Sequence, residues 1–375
     1  MSLDCNVYQS LDMEEWGALM AAPLEGGRYP LSATFELTNR CNLNCAHCYI
    51  NQPANDRAIR QRELTTGQIK QVIDDMAEAG ILFLTLTGGE PLLRPDFAEI
   101  YTHARHRGLL VILFTNGTLL TDEIIHLLQD IRPFSIDISI YGASAPVFER
   151  VTRLPGSFDR CYRAIDRLIE SGLPLSLKTE LMTHNIHELE SMKAFADSLG
   201  LKFRYDGLLW PRIDGNGTFP REVQLPLETL VALDSHDSER EEAVFGELER
   251  LKDLKTRDER IFSCGAGLRS FHLDCEGRMS ICMMVRQPAY SLLEIPLMEA
   301  WEALGKLREM RRTGFSKCQS CTTNILCTHC PGWSLAVHHD FESVVEFTCE
   351  HGILRSRNAL EIKNSKILEV IEYYE

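Results

Sequence analysis

The 375-residue chain has no apolar run near the roughly twenty residues that a membrane-spanning helix needs, and no signal peptide opens it. Insertion into a bilayer and export are therefore not expected. It also lacks a basic stripe. With 39 Lys and Arg against 54 Asp and Glu, the formal charge of −15 offers little to a phosphate backbone and argues against nucleic-acid binding as a main role. No internal repeat or low-complexity tract is evident. Cysteine, by contrast, is abundant. The chain has 13, and so many free thiols imply a reducing cytoplasm.

Three of them lie in the run Cys41-Asn42-Leu43-Asn44-Cys45-Ala46-His47-Cys48, a C-x3-C-x2-C spacing. Four thiolates normally close a [4Fe–4S] cube, so three hold three irons and leave the fourth open to a small molecule. Spacing alone also fits a zinc site or structural thiols. The run follows residues 33–38, which alternate apolar and polar as a strand does. Further strands are expected at 81–87, 109–115, 134–140, 173–181 and 201–207. Helical patterns at 66–79, 95–106, 121–130, 157–171 and 185–199 separate them, several opening on Ser, Thr or Asn. This alternation predicts an α/β fold, a parallel sheet with right-handed crossovers and active groups at the strands' C-terminal ends.

The cysteine run with His47 before its last Cys resembles the radical S-adenosylmethionine (SAM) enzymes. That resemblance implies a partial (β/α)6 TIM barrel and SAM chelated on the open iron. It also implies a 5′-deoxyadenosyl radical formed on one-electron reduction, by a low-potential donor such as flavodoxin or ferredoxin. Thr87-Gly88-Gly89-Glu90-Pro91, at the mouth of the next strand, resembles the segment that meets the SAM amino group; glycines there let backbone approach closely. Asn116 with Gly117, Ser139 and Arg150 resemble ribose and carboxylate contacts, although Asn-Gly is also a common turn pair. Lys178 on the fifth strand would meet the SAM carboxylate or a cluster if it faces the barrel interior.

Eight more cysteines fall between residues 264 and 349: Cys264, Cys275, Cys282, Cys318, Cys321, Cys327, Cys330 and Cys349. With Gly277 separated from Cys282 by four residues, they resemble the SPASM domain, a small C-terminal extension binding two auxiliary [4Fe–4S] clusters. The cofactors implied are SAM and three [4Fe–4S] clusters. The resemblance assigns Cys264, Cys282 and Cys330 with Cys275 to one auxiliary cluster, and Cys318, Cys321, Cys327 and Cys349 to the other. Cys275 is the least certain ligand, and without it an iron would stand open. Two residues separate Cys327 from Cys330 where the pattern has three. A pair of zinc sites is the alternative. His329, between two cysteines, reads as a non-ligand. Cys5 and Cys161 match no metal spacing, and Cys161 reads as a buried apolar side chain.

The expected organisation is an N-terminal extension (1–30), the barrel (31–220), a charged helical bridge (221–260), the cluster domain (261–352) and a C-terminal helix (353–375). SPASM enzymes mainly modify ribosomally made peptides, so a peptide or protein substrate and an oxidative thioether or carbon–carbon crosslink are implied. Only about 30 residues precede the first strand, which leads to the expectation of a separate leader-recognition protein. The sulfatase-maturating type places Asp after the Cys matching Cys282; here Met283 follows. A small-molecule radical dehydrogenase and a non-enzymatic iron–sulfur or zinc scaffold are further alternatives. Arg204 and Asp206 at the sixth strand's exit fit proton handling or a salt bridge equally well, and no catalytic base is assigned.

Overall fold

The computed structural model describes residues 27–50, 52–213, 221–236, 238–253, 260–313, 317, 318, 321, 326, 327 and 330–374. Cys5 and His329 lie outside the described residues, as does most of the expected N-terminal extension. Six parallel strands form the centre: β1 (Ser32–Thr38), β2 (Phe83–Gly88), β3 (Leu110–Thr115), β4 (Ser135–Ser139), β5 (Leu175–Glu180) and β6 (Lys202–Asp206). Each pairs with the next in parallel, and β6 ends the sheet, so the barrel is partial. Every strand expected from the sequence is present.

The crossovers carry α1 (Thr66–Glu78), α2 (Phe97–His106), α3 (Asp122–Asp130), α4 (Ala145–Thr152), α5 (Ser157–Glu170) and α6 (Leu189–Ser198). Local signals start several of them. Thr65 and Gln68 form a capping box at α1, and Thr121 accepts from the Ile124 amide at α3. The sequence reading lacked α4, although Ser144 with Pro146 in the first turn is a helix-start signal.

The C-terminal part continues this sheet. Strand β7 (Ser270–Leu273) pairs in parallel with the other side of β1, followed by antiparallel β8 (Arg278–Ser280) and β9 (Tyr290–Ser291). One hydrophobic core runs beneath both parts, joining Phe35, Leu84, Val111, Ile136 and Leu177 to Phe271, Met279 and Trp301. Helices α7 (Pro331–His338) and α8 (Glu346–Tyr374) close the chain. Among the described residues no helix is long and apolar enough to cross a membrane.

Candidate active site

The cysteine run leaves β1 and lies across the sheet's C-terminal edge. It is held from below by hydrogen bonds that its own sequence does not announce. The amides of Asn44 and Ala46 donate to the carbonyls of Thr152 and Val151, free acceptors in the last turn of α4. Arg40, just before Cys41, forms a two-pronged pair with Glu63 at 2.8 and 2.9 Å. Arg94 adds hydrogen bonds to the Leu37 and Leu64 carbonyls and to Asp96. Arg40 and Arg94 are both buried, so their ion pairs fix the loop's root rather than decorate a surface.

The Gly88-Gly89-Glu90 segment packs against that root. A Cβ on Gly88 would run into the Thr38 carbonyl, and one on Gly89 into the Arg40 carbonyl. In their place the Gly89 amide donates to Thr38 (2.7 Å) and the Glu90 amide to Arg40 (3.0 Å). The glycines thus serve a backbone contact within the protein. The Glu90 carboxylate turns inward, accepting from the Leu92 amide, the Thr115 hydroxyl and the Asn116 amide at 3.1, 2.8 and 2.8 Å. Burial pushes it up to about 7 against these donors.

Asn116 reaches the cysteine loop directly, its side-chain amide nitrogen 3.7 Å from the Cys41 sulfur and 3.0 Å from the Asn42 side-chain oxygen. The Leu43 amide also donates to Cys41, at 3.4 Å. Burial, and next the Glu90 carboxylate, push the Cys41 thiol up to about 12. Burial followed by the Cys48 and Cys41 thiols pushes Cys45 well up. Cys41 and Cys45 both feel the Cys48 thiol, so the three are close neighbours, and they ionise together only where a cation takes up the charge. Amide donors already aimed at sulfur suit a cluster ligand. His47 packs on Tyr141 with ring centroids 4.8 Å apart, and the Tyr141 hydroxyl bonds the Ser139 side chain. Burial lowers His47 to about 4, and its Nδ1 is buried with no partner, an orphaned polar atom beside the loop. The residues present therefore fit a [4Fe–4S] cluster with a bound small molecule.

Lys178 stands on the inner face of β5, opposite Ser139 on β4, with its amine 3.1 Å from the Phe114 ring centroid. Burial lowers it to about 8, against the attraction of Asp137 and Glu180. Glu180, two residues on, lies opposite Asp206 of β6. Burial and then Asp206 push it up to about 8, with Lys178 opposing. Arg150 is different. It is exposed on α4 near His184, which burial and then the Arg150 charge shift down, and the structure does not join it to the other candidate residues.

Sequence reasoning missed a buried charge cluster between the barrel and the C-terminal part. Arg286 donates to both oxygens of Glu36 on β1 (2.8 and 2.7 Å) and to the Met283 carbonyl (3.0 Å). His272 stands 3.4 Å from Glu36 and 3.0 Å from the Ser280 hydroxyl. Burial alone would raise Glu36, but His272 and Arg286 hold it down at about 2.

The C-terminal cysteines divide into groups. Cys282 feels the Cys264 thiol, and Cys330 feels Cys282 and Cys264, so these three are neighbours. Cys349 feels Cys318 and Cys321, and the Cys327 sulfur lies 3.8 Å from the Thr348 carbonyl. Cys275 is apart from the first group, at the turn between β7 and β8, where its charged neighbours are Asp274, Glu36, Glu63 and Glu276. The assignment of Cys275 beside Cys264, Cys282 and Cys330 is not met by this geometry. Cys161 is fully buried, its sulfur 3.9 Å from the Ser139 carbonyl. Among the described residues no three His, Cys, Asp or Glu side chains form a site for a single metal ion.

Residues 35–199, which carry the cysteine run and five of the six barrel strands, match the model of the radical SAM superfamily. This segment is a radical SAM domain. Among the chain's relatives, the AdoMet-dependent heme synthase of Methanosarcina barkeri is 28% identical over 331 residues, 83% of this chain and 94% of its own. The mycofactocin maturase MftC of Mycobacterium tuberculosis is 32% identical over 190 residues, 50% of this chain and 46% of its own, so the match spans about half of that protein. The fold is shared with SuiB of Streptococcus suis, at a TM-score of 0.66 and 16% identity over 92% of this chain and 84% of that one.

Proposed function

We propose that Cys41, Cys45 and Cys48 hold a [4Fe–4S] cluster on which SAM binds, and that the C-terminal cysteines hold two more. The radical so formed oxidises a ribosomally made peptide, closing a thioether or carbon–carbon crosslink. The observation that carries this reading is the gathering of three separate thiol groups, one at the barrel mouth, one beyond the end of β8 and one beside the start of α8. Bound there, SAM and its cluster supply a 5′-deoxyadenosyl radical that abstracts a substrate hydrogen.

This chain's own residues have distinct tasks. Asn116 and the Leu43 amide orient the Cys41 sulfur, the Gly88-Gly89 backbone fixes the loop's height, and Lys178 offers a cation to the SAM carboxylate. Crosslinking is a net two-electron oxidation, so after hydrogen abstraction a second electron and a proton must leave. Clusters held by the C-terminal cysteines would give the electron a path. The proton leaves to solvent; Glu180 at the mouth, pushed up to about 8 by burial and then Asp206, is largely protonated near neutral pH. MftC is named a maturase, and SuiB has been crystallised bound to its precursor peptide SuiA; both support a peptide substrate. Co-expression with a short peptide encoded beside the gene, followed by mass spectrometry, tests the reading. A SAM-dependent loss of two hydrogens is expected, and an unchanged peptide mass with active SAM cleavage would count against it.

A second reading, oxidation of a porphyrin precursor, is favoured by the near full-length match to a protein named heme synthase. Iron coproporphyrin III is the probe. A shifted Soret band and SAM-dependent turnover would favour this reading over the peptide one.

A further inference from the structure

Asn116 stands just past the end of β3, in a turn that Gly117 closes at a φ of 74°. An Asn side chain has two acceptor positions on its oxygen and two donors on its nitrogen, and here all of them are engaged. The oxygen accepts from the Thr118 amide at 2.9 Å and from the Thr118 hydroxyl at 2.6 Å. The nitrogen donates to the Asn42 side-chain oxygen at 3.0 Å and to the Cys41 sulfur at 3.7 Å. Because a backbone amide can only donate, Thr118 decides which end of Asn116 is oxygen. The nitrogen must then face the sulfur.

A ring closes around this contact. The Thr118 hydroxyl, having given its proton to Asn116, accepts from the Asn42 side-chain nitrogen at 2.8 Å, and Asn42 in turn accepts from Asn116. Hydrogen bonds that run one way round a ring strengthen one another. The Asn116 backbone is fixed as well, its amide donating to the buried Glu90 carboxylate at 2.8 Å. Asn116 and Thr118 are both buried. No hydrogen-bonding position on the Asn116 side chain is left for a small molecule, which sets it apart from the ribose or carboxylate contact that its place in the sequence suggests. A donor aimed at a cluster sulfur does something else: it favours the reduced, more negative state and so raises the reduction potential.

We propose that Asn116, locked in place by Thr118, holds up the reduction potential of the cluster on Cys41, Cys45 and Cys48 and makes no contact with SAM. Thr118 acts only through Asn116 and is a positioning residue. On the cluster reading above, this amide eases the entry of an electron, and SAM finds its partners elsewhere.

Dithionite titration of the anaerobically purified full chain, followed by electron paramagnetic resonance, tests this. The signal to follow is the one that disappears when Cys41, Cys45 and Cys48 are all replaced by Ala. Its midpoint should be more negative in Asn116→Ala, more negative still in Asn116→Asp, where an oxygen faces the sulfur, and unchanged in Thr118→Ser, which keeps the hydroxyl. Thr118→Val should move it the same way by less, because the amide still holds Asn116. Those two Thr118 variants decide the matter should Asn116→Ala lose its iron. Equilibrium dialysis should find SAM affinity changed less than threefold in Asn116→Ala and in Thr118→Val. A midpoint unchanged in both Asn116 variants, or SAM binding at least tenfold weaker in Asn116→Ala, would overturn the proposal. Failure of the cluster reading itself would show separately, as a wild type that lacks the signal and holds about eight irons or fewer.

Discussion

Arg286 and Glu36, 250 positions apart, meet in a two-pronged ion pair that fastens the Cys282 loop to the first barrel strand. Glu36 is fully buried, and breaking such a pair from one side leaves a charge with no partner. Arg286→Met should therefore lower stability by about 3–5 kcal/mol, read by denaturant unfolding. The double variant with Glu36→Leu should recover most of that loss. A single variant as stable as wild type would show that the pair does not hold the two parts together.

Gly89 and Gly67 make a matched pair of alanine substitutions. At Gly89 a Cβ meets the Arg40 carbonyl, one residue from Cys41, whereas at Gly67 in α1 nothing lies within 4 Å. Gly89→Ala should displace the cysteine loop and reduce SAM cleavage at least tenfold with loss of about four irons. Gly67→Ala should leave both unchanged. Equal iron content in the two variants would contradict the loop-packing role given to Gly89.

Glu90 gives a pH dependence with a definite sign. Its carboxyl is raised from the ordinary 4.5 to about 7 by burial, so it favours the folded state while protonated. That contribution is full below about 4.5 and is lost as pH rises through about 7, amounting to on the order of 3 kcal/mol. Thermal unfolding of Glu90→Gln across this window should show a flatter profile than wild type, with a lower overall stability because one hydrogen-bond donor loses its acceptor. Parallel profiles would assign the pH dependence elsewhere.

Lys178 and Arg150 both fit SAM contacts in sequence, and their surroundings separate them. Lys178 faces the barrel interior beside Phe114, while Arg150 is exposed. Equilibrium dialysis with SAM should find affinity at least tenfold weaker in Lys178→Met and changed less than threefold in Arg150→Ala. The reverse order would place the SAM carboxylate toward α4.

The strands and the cysteine loop were legible because periodicity and spacing are local. Thr34, Glu36 and Thr38 alternate with Ala33, Phe35 and Leu37 in the period of two that marks a strand, and the thiols that follow are written in order. The partners of those residues were not legible. Nothing near residue 36 names Arg286, and the four residues of β7 carry no mark that they pair beside β1. Glu90 fits a ligand loop in sequence, yet three neighbouring donors turn its carboxylate inward. Cys275 counts as a fourth thiol in sequence, but a hairpin turn carries it away from the other three.

The central claim is that three thiol groups carry three clusters and that only the one at the barrel mouth cleaves SAM. Iron and sulfide content with a 5′-deoxyadenosine assay, on anaerobically purified wild type and on the Cys41, Cys45, Cys48→Ala variant, tests it most directly. The account predicts about twelve irons falling to about eight, with 5′-deoxyadenosine abolished. About four irons in the wild type with zinc making up the rest, or SAM cleavage that survives the triple substitution, would contradict it.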